Sequence, residues 1–150
     1  MDFLEKFKDL LKEIENDCIE EKIKKINEMK ILLHSISPFI NEPVDCVIWI
    51  KNSNIVANDY NPNVVAPPEM KLLHQSILQD GYTQPIVSWY RDNIYEVIDG
   101  FHRNRVGREY EDVQNRIMGY LPLTVINNDR QDISDRMAST IRHKIGRAHV

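Results

Sequence analysis

Four side chains with acid, base or anion-binding chemistry crowd into one short stretch: Asp99, His102, Arg103 and Arg105, within Val97-Ile98-Asp99-Gly100-Phe101-His102-Arg103-Asn104-Arg105. Asp-Gly is a turn dipeptide, and the residues after it are compatible with a helix. A helix N-terminus offers unpaired backbone N–H groups and the positive end of the macrodipole, which favour an anion. An imidazole and two guanidinium groups in that first turn add charge-assisted donors, so the combination reads as a phosphate seat for a nucleotide or a nucleic-acid backbone. Asp99 is open to three roles: helix cap, magnesium ligand through water, or base accepting a substrate proton.

The elements that must position this stretch are legible upstream. Pro67-Pro68-Glu69 suits a helix start, Met70, Leu73 and Ile77 recur on one face, and Gly81 suits the position just past the end. Residues 86–90 and 94–98 read as strands joined by Arg91-Asp92-Asn93, a hairpin whose second strand delivers the chain to Asp99. In an antiparallel pair the start of the first strand and the end of the second lie at the same end. Gln84 and Pro85 are therefore expected beside Gly100, His102, Arg103 and Arg105, facing one ligand.

These strings carry a family resemblance. Asn61-Pro62-Asn63, a helix, Gly81-Tyr82-Thr83-Gln84-Pro85-Ile86-Val87, the segment from Val97 to Val106, and Leu121-Pro122-Leu123-Thr124-Val125 resemble the ParB N-terminal domain and its sulfiredoxin-fold relatives, from about Val47 to Val125. In that family the segment matching Gly100 to Val106 reads Gly-Glu-Arg-Arg-x-Arg-Ala and binds the phosphates of CTP. Here Phe101 and His102 replace the Glu and the first Arg, while Gly100, Arg103 and Arg105 remain. Sulfiredoxins have Gly-Cys-His-Arg at this place, and Phe101 in place of the cysteine excludes their thiol chemistry. The free-serine kinases of the superfamily have Asp-Gly-His-His-Arg, of which Asp99, Gly100, His102 and Arg103 are kept, so phosphoryl transfer stays open. The later Glu-Asn-x-x-Arg segment of chromosome-partitioning members is replaced by Ser139-Thr140-Ile141-Arg142-His143, without the Glu.

Pro43-Val44-Asp45, Asn58-Asp59-Tyr60-Asn61-Pro62-Asn63, Ala66-Pro67-Pro68-Glu69-Met70 and Asp99-Gly100-Phe101-His102-Arg103 are similar to the IbrB-like branch, small ParB-domain co-activators of prophage gene expression. That resemblance implies a partner of the phosphoadenosine-phosphosulfate reductase-like type.

Composition bounds these readings. A chain of 150 residues with 42% hydrophobic content supports one core plus a helical extension. Charged residues from the start (Asp2, Glu5, Lys6) read as no signal peptide, no apolar run reaches the ~20 residues that span a bilayer, and a cytoplasmic location is expected. Cys18 and Cys46 have neither zinc-site nor disulfide spacing. The net charge of −4 sits entirely in residues 1–45, and eight of nine arginines fall at or after position 103, a bias that suits a local anion-binding face.

Leu4, Phe7, Leu11, Ile14 and Cys18, then Ile19, Ile23, Ile26, Met29 and Leu33, mark amphipathic helix through the first 35 residues, as one helix or two with a break near Asn16-Asp17. It either packs on its own domain or forms a dimer or partner surface. Asp132 suits the cap of a C-terminal helix with a basic end, and the absence of a stop signal at Ala148-His149-Val150 suggests a longer natural chain. His34 and His74 read as packed or surface histidines, and Trp49 and Trp89 as sheet residues.

The expectation is an α+β fold: an amphipathic helical region at 1–38 and a ParB/sulfiredoxin-like domain at 45–150, with a small mixed sheet, flanking helices and a C-terminal helix. The expected function is a nucleotide-responsive regulatory or binding module. It uses CTP or ATP/ADP with magnesium, Gly100, His102, Arg103 and Arg105 as phosphate ligands, Gln84, Pro85 and Asn61 as pocket wall, and Asp99 as the candidate catalytic group. A small-molecule phosphotransferase and a DNA-binding regulator or nuclease are the alternatives. DNA and a second copy of the chain, met through the N-terminal helices, are the other expected partners.

Overall fold

A computed structural model describes residues 2–58 and 67–126. Asn61 and the C-terminal helix expected from Asp132 onward lie outside the described residues. The chain divides into two compact units, Met1–Cys46 and Val47–Val150.

The first unit holds two helices, α1 (Phe3–Lys12) and α2 (Ile19–Ser35), so the apolar stripe is two helices with the break at residues 13–18. Asp2 caps α1 by accepting the Glu5 N–H at 2.8 Å, the expected chemistry for an N-cap aspartate. Lys25 Nζ reaches back 2.7 Å to Asp17 in the break, and His34 Nδ1 lies 2.7 Å from Asp45 Oδ2 of the 3₁₀ turn Pro43–Asp45. No residue of either helix is fully buried, and Phe3, Leu4, Leu10, Leu32 and Leu33 are exposed.

The second unit is α+β. Among the described residues five strands, β1 (Ile48–Lys51), β2 (Ile55–Ala57), β3 (Ile86–Arg91), β4 (Ile94–Asp99) and β5 (Tyr120–Val125), form a mixed sheet in the order β1-β5-β3-β4-β2. β3 is central, antiparallel to β4 and parallel to β5, while β1 pairs antiparallel with β5 and β2 parallel with β4. Among the described residues of this unit the helices are α3 (Pro67–Asp80), α4 (Phe101–Glu109) and α5 (Glu111–Arg116). Met70 and Ile77 of α3, Phe101 and Val106 of α4, and Val113 of α5 share a core with Ile86, Val97, Leu121 and Leu123 of the sheet.

The hairpin is tighter than the three-residue loop expected. Arg91 and Ile94 end their strands as a pair, leaving only Asp92 and Asn93 in the turn, with φ of 53° and 65°. Two successive positive φ values define a turn whose twist matches that of the strands, and Asp and Asn tolerate them best after glycine. At the other end Ser88 pairs with Val97 but Val87 with Asp99, so Ile98 is an extra residue that bulges β4 as it leaves the sheet. Pro122 sits inside β5 without a ladder donor; its strand joins β3 only from Leu123 onward, so Pro122 faces β1 alone. Among the described residues no helix is long and apolar enough to cross a membrane.

Candidate functional site

Three pieces of backbone converge where β4 ends: the bulge at Ile98, the left-handed residue Gly100, and the first turn of α4. Gly100 has φ of +87° and is the N-cap of α4, its carbonyl accepting the Asn104 N–H at 2.9 Å. The cap position belongs to Gly100, so Asp99 is the last residue of β4 and not the cap, and it is buried at 6% exposure. Phe101 is buried in the core, which turns the next residues outward: His102 and Arg103 are half-buried on the first turn. The N–H groups of such a turn lack intrahelical acceptors.

Arg103 is brought against Gly100 and the chain entering β3. A Cβ placed on Gly100 would stand 2.9 Å from Arg103 Nη2, so the guanidinium lies across the glycine. Nη1 donates to Gln84 Oε1 and Nη2 to the Pro85 carbonyl, each at 3.2 Å. The backbone of the same residue is held too, because Tyr82 Oη donates to the Arg103 carbonyl at 2.7 Å. Burial pushes the Tyr82 phenol up to about 12, so it remains a donor across ordinary pH. Gln84 and Pro85 thus meet Gly100 and Arg103, as antiparallel pairing of β3 with β4 requires.

Arg105 is directed elsewhere. Residues two apart on a helix do not share a face, and Arg105 forms a two-pronged pair with Glu109 one turn on, at 3.1 and 3.3 Å. The arginine bias of the second half also has a structural component. Arg108 donates to the carbonyls of Asn52, at 2.6 Å, and Ile55, and to the buried Asn104 carboxamide, tying α4 to the β1–β2 connection. Arg116 donates to the carbonyls of Leu78 and Ile77 at 2.6 and 2.8 Å, closing the C-terminus of α3, where Gly81 follows with φ of +79°. Neither contact is visible as periodicity in the sequence. Nor does any sequence pattern mark the roles of Tyr82 and Gly107. A Cβ on Gly107 would collide with Leu121 and with Tyr82 Oη, so glycine there lets α4 approach β5 and Tyr82.

His74 does pack within its own fold. Its Nε2 lies 2.9 and 3.0 Å from the two oxygens of Asp112, and its ring stacks on Tyr110 at 3.9 Å, joining α3 to α5. Trp89 is buried in β3, and Trp49 lies against the core from β1. Among the described residues no three His, Cys, Asp or Glu side chains gather as metal ligands.

Geometry of this kind has counterparts. A profile of the ParB N-terminal domain matches residues 41–141. The uncharacterized protein YbdM of Escherichia coli (strain K12) is 50% identical over 129 residues, covering 85% of this chain and 60% of that protein, so the chain spans about three fifths of this relative's length. Among solved structures, the C-terminally truncated chromosome-partitioning protein ParB from Caulobacter crescentus, complexed with CTP-gamma-S, superposes with a TM-score of 0.53 at 17% identity, over 67% of this chain and 53% of that one. Sulfiredoxin from Arabidopsis thaliana gives a TM-score of 0.44 at 18% identity, over 66% of this chain and 96% of that one.

Proposed function

Since the chain belongs to the ParB N-terminal domain family, we propose that it is a nucleotide-responsive regulatory module whose phosphate seat is the Gly100 N-cap of α4 with His102 and Arg103. The observation that carries the reading is the guanidinium of Arg103 lying across Gly100 at the head of a helix of nine residues. A left-handed glycine, the donors of a first helical turn and a guanidinium fork fit a phosphate chemically. The ParB of similar fold holds a CTP analogue, which makes CTP the first candidate and ATP or ADP the next. A nucleotide supplies its own phosphate oxygens to magnesium, so the protein needs to add few ligands; Asp99 is the carboxylate we assign to that task. Arg105 serves as an outer contact, reached by release from Glu109.

In this reading the protein is a cytoplasmic co-activator of the IbrB-like type. Its proposed partners are DNA, a second copy through the N-terminal helices, and a phosphoadenosine-phosphosulfate reductase-like protein, with nucleotide occupancy as the regulated variable. A ligand that binds only the folded form raises the melting temperature. A thermal-shift panel of CTP, ATP, ADP, GTP and phosphoadenosine phosphosulfate, with and without magnesium, tests the proposal. The expected result is selective stabilisation by one nucleotide, lost in Arg103→Ala. No shift with any of them overturns it.

A further inference from the structure

Residues 82–85 hold Arg103 by both ends, and this arrangement reaches beyond a pocket wall. We infer that Gln84 is a positioning residue that aims the Arg103 guanidinium at the phosphate seat before any ligand arrives. The inference rests on the nucleotide reading above and deepens it.

The backbone of Arg103 is fixed by the hydroxyl of Tyr82, and its side chain by the Gln84 carboxamide oxygen and the Pro85 carbonyl. An arginine side chain is among the costliest to order, and ordering it in advance removes that cost from the binding step. The foundation is rigid: Pro85 has a fixed φ, and Ile86, the next residue, is fully buried in the central strand β3. The acceptors matter chemically as well. An amide oxygen and a peptide carbonyl are neutral, so these two bonds orient the guanidinium without subtracting from its charge, and they use two of its five donors. A carboxylate at position 84 would orient the same fork while adding a negative charge at the seat. Gln84 itself is exposed, unlike the core residue Ile86 that follows Pro85, so it can be changed without disturbing packing.

Calorimetric titration of the full chain with magnesium-CTP, magnesium-ATP and inorganic pyrophosphate, on the unsubstituted protein and on Gln84→Leu, Gln84→Glu and Arg103→Ala, separates the possibilities. Gln84→Leu is expected to weaken the bound ligand about tenfold, the scale of one hydrogen bond to a charged group. Its unliganded melting temperature should be nearly unchanged. Gln84→Glu should fold equally well yet weaken binding at least as much, with a flatter dependence on salt, whereas a purely structural role would lower the melting temperature of Gln84→Leu and leave its binding intact. Arg103→Ala, which removes the guanidinium itself, should lose binding altogether, whereas Gln84→Leu, which only frees it, should weaken binding without abolishing it. Binding in Gln84→Leu or Gln84→Glu equal to that of the unsubstituted protein overturns the inference and spares the nucleotide reading. Absence of binding by the unsubstituted protein overturns both.

Discussion

Gly100 combines two demands that no other residue meets together. Its φ of +87° is a left-handed conformation, and the space a side chain would need is held by the Arg103 guanidinium. Gly100→Ala is expected to cost about 1–2 kcal/mol from the backbone conformation alone. Because the obstructing group is the flexible end of a side chain, the fold should survive while the guanidinium is pushed off the seat. Urea denaturation and nucleotide titration measured side by side should therefore show modest destabilisation with a disproportionate loss of affinity. At this scale the sequence is informative about which residues meet. The turn residues on either side of β3 and β4 make Gln84, Pro85, Gly100 and Arg103 neighbours. The i,i+4 spacing of Arg105 and Glu109 is legible too once α4 is a helix, whereas Tyr82 is not, because its role depends on the closeness that Gly107 permits.

Between elements, polar side chains that reach across to backbone add to the apolar core in holding α4 and α3 in place. Arg108→Met would leave the carbonyls of Asn52 and Ile55 and the Asn104 carboxamide without this donor, at a cost of about 1–3 kcal/mol. A drop in the urea midpoint without a change of slope would be the expected record. The α3–α5 contact is expected to respond to pH through Asp112. His74, hydrogen-bonded to Asp112, holds the Asp112 carboxyl below the ordinary carboxylate range. A depressed carboxylate contributes stability that is complete above its unfolded value, about pH 4, and is lost as pH falls through the lower folded value. Melting temperatures of the unsubstituted protein and Asp112→Asn should accordingly differ at neutral pH and converge in acid. Such ties join residues 38 or more positions apart, which is why the helices are legible from apolar spacing and turn residues while their fastenings are not. The helix α5 is silent in the sequence for a related reason: at six residues it is too short to show a period.

At the level of the whole chain, the two units differ in how they handle apolar surface. The second has a continuous buried core, with Leu72 and Met118 among the apolar side chains it leaves exposed, whereas the first exposes Phe3, Leu4, Leu10, Leu32 and Leu33 on helices without a fully buried residue. If these helices join two copies, as proposed, Leu33→Glu should weaken self-association by at least about tenfold, since an unpaired charge is costly to bury. Sedimentation velocity over a concentration series would show it, and an unsubstituted protein that stays monomeric throughout would contradict the dimer.

The sheet order also sets a sequence of events. β3 and β4 are joined by a two-residue turn, and the site they carry is closed by bonds from Arg103 to Gln84 and Pro85, all within one short stretch of chain. The strand β1, by contrast, reaches its place only by pairing with β5, Ile48 against Leu123, after nearly all of the unit has been made. Loop closure favours short spans and delays long ones. The hairpin and the helix start it delivers are therefore expected to form early in folding, with the β1 edge of the sheet pairing last, an order that pulse-labelling hydrogen exchange of β3–β4 against β1 would record.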